Sequence, residues 1–78
     1  MSKKSELKKA IDEAEREIAA LEQKRARSQS SLMQAMLSGK DPNPEDKHYF
    51  NVFSSLIDQE RENLRKLIQE LDELTNKN

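Results

Sequence analysis

Six consecutive residues, Gly39-Lys40-Asp41-Pro42-Asn43-Pro44, hold the only glycine and both prolines of this 78-residue chain. Glycine can adopt the left-handed conformation that stops a helix. Pro42 disfavours helical geometry at Asp41. Asn43 has the chemistry of an N-cap, and Pro44 suits a first helical position. Glu45 and Asp46 then place negative charge near the positive end of a helix. Stop and start signals thus stand back to back. They predict two helices, over about 3–38 and 44–75, joined by a loop at 39–43, with residues 1–78 forming one hairpin. Each helix is expected to run about 50 Å at 1.5 Å per residue.

The chain is 37% charged and only 33% hydrophobic. Such a ratio can signal disorder, but disordered chains usually carry a large net charge and much Pro and Gly. Here 14 basic and 15 acidic side chains leave a net charge of -1. The abundant Ala, Glu, Lys, Leu, Gln and Arg are strong helix formers.

Apolar residues recur with the 3.5-residue mean spacing of a coiled-coil seam. On the first helix, Ile11, Ile18, Arg25 and Leu32 take a positions, and Leu7, Ala14, Leu21, Ser28 and Ala35 take d positions. On the second, Phe50, Ile57, Leu64 and Leu71 fall at a, with Phe53, Glu60, Leu67 and Leu74 at d. The fold class expected is all-α, a two-helix antiparallel coiled-coil hairpin that could extend by association to a helical bundle. Pairing residues whose numbers add to 85 sets each a against a d and small residues against large, as in Ala35 with Phe50. It also sets Arg25 against Glu60, an expected register-setting pair; a buried ion pair contributes little net stability but can specify alignment. The alternative is that both side chains extend to water.

Six apolar residues near the loop lie outside this seam: Met33, Met36 and Leu37 before the loop, and Tyr49, Val52 and Leu56 after it; the opposite end has mainly Ile68 and alanines outside it. With Phe53 the six near the loop make a candidate protein-binding patch, since clustered exposed apolar side chains mark interaction surfaces. Methionine suits adaptable surfaces of this kind. A heterologous partner, a homodimer or thickened local packing would each account for the cluster.

Other chemistry is poorly supplied. The absence of cysteine removes disulfides and cysteine-held metals. Glu45-x-x-His48 has the spacing of a di-iron helix motif, but the register supplies no facing carboxylate, so no metal or other cofactor is expected. Lys24, Arg25 and Arg27 form a short basic cluster among acids, which fits a solvated face better than a nucleic-acid surface. No nucleophile, base and orienting group converge, and no Gly-rich phosphate loop occurs. An enzyme is not expected. The longest apolar run, Ile18-Ala19-Ala20-Leu21, is far below the ~18 residues of a membrane span, and no secretory signal is expected at the start.

Leu32 to Gly39 (LMQAMLSG), then Pro44-Glu45-Asp46-Lys47-His48-Tyr49 and an amphipathic run with Phe53, Leu56, Leu64 and Leu67, resemble the small E-type co-chaperones of type III secretion needle subunits. The resemblance covers about half the chain. It implies a cytoplasmic helical hairpin of a Gram-negative bacterium. Such a protein would bind a helical-repeat chaperone and help hold the needle subunit unpolymerised. Tyr49, Val52, Phe53 and Leu56 would be the contacts implied. Needle subunits are themselves hairpins, but they need an apolar C-terminal tail, whereas Leu74-Thr75-Asn76-Lys77-Asn78 is polar. The leading expectation is therefore a non-enzymatic protein-binding module of co-chaperone type. The alternative is a self-associating hairpin, dimeric or tetrameric, that acts as an adaptor or assembly element.

Overall fold

The computed structural model describes residues 2–76. It is an all-α helical hairpin: α1 spans Lys3–Leu37 and α2 spans Pro44–Asn76, packed against one another. The molecule measures 61 × 17 × 16 Å, an elongated two-helix hairpin.

The helix ends are built by side chains that satisfy otherwise unpaired backbone groups. Ser2 caps α1, its Oγ accepting from the Ser5 N–H at 3.1 Å. At the other end, Lys40 N–H donates to the Ala35 carbonyl at 2.9 Å and Gly39 N–H to the Met36 carbonyl at 3.2 Å. This is a Schellman closure. It requires the left-handed φ of +69° that Gly39 adopts. Asn43 opens α2 through Oδ1, which accepts from Glu45 N–H at 3.0 Å.

The two walls of the seam are covered unequally. Leu7, Ala14, Ile18, Leu21 and Ser28 of α1 are buried, but only Ile57 of α2 is. Phe50, Phe53, Leu64, Leu67 and Leu71 are half-buried. With a single helix opposite, most of the large side chains of α2 stay open along one flank. Those level with Ala14 and Ser28, namely Leu64 and Phe50, lie over small α1 residues.

The pairing differs from the sum of 85 by one heptad. Ala10, Glu13, Ala14 and Glu17 line one groove together with Glu60, Asn63 and Leu67. Lys24, Arg27 and Ser28 line another with Tyr49 and Phe53. Residues sharing a groove stand at similar heights, so the matching numbers add to about 78. Ile11 then stands level with Leu67, Leu21 with Ile57, and Leu7 with Leu71. This agrees with Leu7 at 7% exposure and Leu74, beyond the last full layer, at 36%. Arg25 and Glu60 therefore do not face each other. Each is half-buried, and they are not among the ion pairs of the described residues. Arg25 comes level with Phe53 and Glu60 with Ile18. Among the described residues, the ion pair that joins the helices is Arg61 with Glu22, 3.1 Å apart and about half exposed.

Two outcomes follow. Gly39→Ala should cost about 1–2 kcal/mol in urea unfolding, because a Cβ there meets open space but must hold a left-handed φ. A double-mutant cycle on Glu22 and Arg61 should give a coupling of a few tenths of a kcal/mol, as exposed pairs do; the same cycle on Arg25 and Glu60 should give less.

Candidate functional site

The hairpin presents two broad faces, and the grooves identify one of them. Ala10 and Lys24, Glu13 and Arg27, and Ala14 and Ser28 are each separated by two heptads. Residues so spaced share a side of a helix, so both grooves open on the same side of the ribbon. The Glu22–Arg61 bridge crosses the seam on the other side.

The seven candidate contact residues divide between these faces. Tyr49 and Phe53 line the second groove and stack, with ring centroids 6.1 Å apart and planes 21° from parallel. His48 lies beside Tyr49, with ring centroids 5.8 Å apart. Val52 and Leu56 follow Tyr49 by three and seven residues and continue its stripe along α2. Tyr49 is 49% exposed and Leu56 38%, while Val52 and Phe53 are half-buried. These four make one contiguous surface. Met36 stands two heptads beyond Glu22 and so belongs to the opposite side, with Met33 one turn before it. Met36 and Leu37 are 76% and 85% exposed at the last turn of α1. The methionine cluster and the aromatic stripe are therefore separate surfaces, although both lie near the loop.

Lys24 and Arg27 belong to the aromatic surface, a role not apparent when the basic cluster is read along the chain. They form one wall of the groove that Tyr49 and Phe53 line. The acidic groove with Glu13, Glu17 and Glu60 was also missed. Its signal lay in the two-heptad repeat of positions 10, 13 and 14 at 24, 27 and 28. Among the described residues, no three His, Cys, Asp or Glu side chains gather as a metal-holding group.

Titration behaviour is perturbed away from both grooves. The Glu62 carboxyl lies below its usual range because Arg65 hydrogen-bonds it at 2.7 and 3.1 Å, with the Arg65 and Lys66 charges adding to this against partial desolvation. The Arg65 guanidinium is raised in turn, chiefly by that same hydrogen bond.

No protein-family model, curated protein or solved structure matches the chain. No helix of the described residues is long and apolar enough to cross a membrane.

A depressed folded pKa makes the Glu62 contribution to stability present above the unfolded value and lost as pH falls through the folded one. Arg65→Gln should accordingly move the Glu62 titration midpoint upward in a carboxyl-detected NMR titration. An unmoved midpoint would remove Arg65 as the cause.

Proposed function

We propose that this hairpin is a non-enzymatic protein-binding module whose contact surface is the stripe Tyr49, Val52, Phe53 and Leu56. The observation that carries the reading is the continuity of that stripe on α2. Apolar residues at i, i+3, i+4 and i+7 are the pattern by which one helix docks in the groove of another. Tyr49 and Phe53 add large contact areas with few rotatable bonds, so ordering them on binding costs little.

The partner class follows from the resemblance of the loop and second helix to needle co-chaperones. On that reading the chain is a cytoplasmic co-chaperone that joins a helical-repeat chaperone, and together they keep a type III secretion needle subunit from polymerising. The four stripe residues are those the resemblance implies as contacts. The separate methionine surface, Met33, Met36 and Leu37, is available for a second chain in such a complex.

Co-expression with a needle subunit and its helical-repeat chaperone provides the test. The wild type should co-purify with them as a soluble complex. Val52→Glu with Leu56→Glu should abolish co-purification while leaving the far-ultraviolet circular dichroism of the hairpin unchanged. Retention of the complex by that variant would remove the stripe from the interface.

A further inference from the structure

The groove face carries a second pattern, in its charges. From the termini towards the loop, α1 presents Glu13, Glu17, Ala20, Lys24 and Arg27 along this side. Ala20 belongs to the same line because it stands one heptad from both Glu13 and Arg27. The acids lie on one side of it, seven and three residues away, and the bases on the other, seven and four residues away. Turned end for end, the line is its own electrostatic complement.

We propose that two copies of the chain pair through this face, antiparallel, about a two-fold axis at Ala20. An isologous contact must be self-complementary, and along α1 this one is. Glu13 then lies opposite Arg27 of the second copy, and Glu17 opposite Lys24. Ala20 meets its own counterpart, where an exposed small side chain lets the helices approach closely. The two grooves lie at similar distances on either side of Ala20, so the same axis exchanges them. The Tyr49–Phe53 surface of each copy is carried to the groove of the other that is floored by Ala10, Ala14 and Leu67.

The size and charge of the molecule permit this. A specific interface removes about 800 Å² from each partner. A face 61 Å long and 17 Å wide offers on the order of 1,000 Å². The net charge of -1 sets up little general repulsion between copies. The product is a four-helix bundle, in which the half-covered seam residues that open on this side gain a second layer. An arrangement that laid the two aromatic stripes directly on each other would instead bring Lys24 against Arg27 of the second copy. Charge therefore selects the axis at Ala20 over that one.

The pairing stands independently of the secretion reading. Where that reading also holds, the dimer covers the partner-binding stripe until a partner displaces the second copy.

Sedimentation equilibrium of the full chain reads the outcome. The wild type should sediment at twice its 9.1 kDa mass and shift towards monomer in 1 M salt. Glu13→Arg with Glu17→Lys should sediment as a monomer, as should Lys24→Glu with Arg27→Glu, because each places like charges across the axis. An equimolar mixture of the two variants should recover the double mass, as should one chain carrying all four changes. Circular dichroism checks that each variant keeps its helix content, and the four-change chain tests the pairing should either half-reversal fail to fold. A monomeric wild type, a dimer that survives both half-reversals, or failure of the mixture and of the four-change chain to pair would each overturn the proposal.

Discussion

The rest of the molecule depends on one constraint: two helices can share only one seam. A helix in a larger bundle meets neighbours on several sides, but here each has a single neighbour and a wide solvated arc. The seam answers this by dividing labour. Ala14 and Ser28 keep α1 slim where Leu64 and Phe50 of α2 lie over it, and Ile57 becomes fully enclosed at 0% exposure. Most apolar side chains of α2 are left half-covered. A hairpin of this kind has little interior to spare, and its remaining apolar area necessarily lies on its faces.

Seam geometry also organises those faces. Positions flanking an antiparallel seam fall on one broad side or the other, according to their place in the heptad. The Glu22–Arg61 bridge and the exposed methionines share one side; the two grooves share the other. The groove side combines an aromatic stripe, a basic wall and, nearer the termini, an acidic trough. These features suit association, because an apolar contact supplies the driving force while charges choose the orientation.

Much of this was legible along the chain. Gly39 and Asn43 act locally, through the conformation of one residue and the hydrogen bonds of its neighbours, so their effect could be read without any knowledge of packing. The periodicity of Ile11, Ile18, Leu21, Ile57 and Leu64 likewise identified the residues that pack inward. The alignment of the helices was not legible to the same degree. Sliding one helix by a heptad returns every seam residue to a seam position, so pattern alone leaves neighbouring registers nearly degenerate. The Arg25–Glu60 match favoured the wrong one. Burial of Leu7 and exposure of Leu74 identify the other, because the ends of a seam are where a slide leaves a residue without cover.

By itself, the sequence determined an all-α hairpin, the places where its helices stop and start, and the stripe each turns inward. All of these follow from local conformation and from the 3.5-residue recurrence of apolar side chains. Tertiary structure decided which layer meets which, and with it the partners of Arg25 and Glu60. It also decided that the methionines and the aromatic stripe are two surfaces, and that Lys24 and Arg27 stand beside Tyr49 and Phe53. Those relations join residues distant along the chain. They depend on the height and rotation of one helix against the other, which a pattern repeating every seven residues cannot specify.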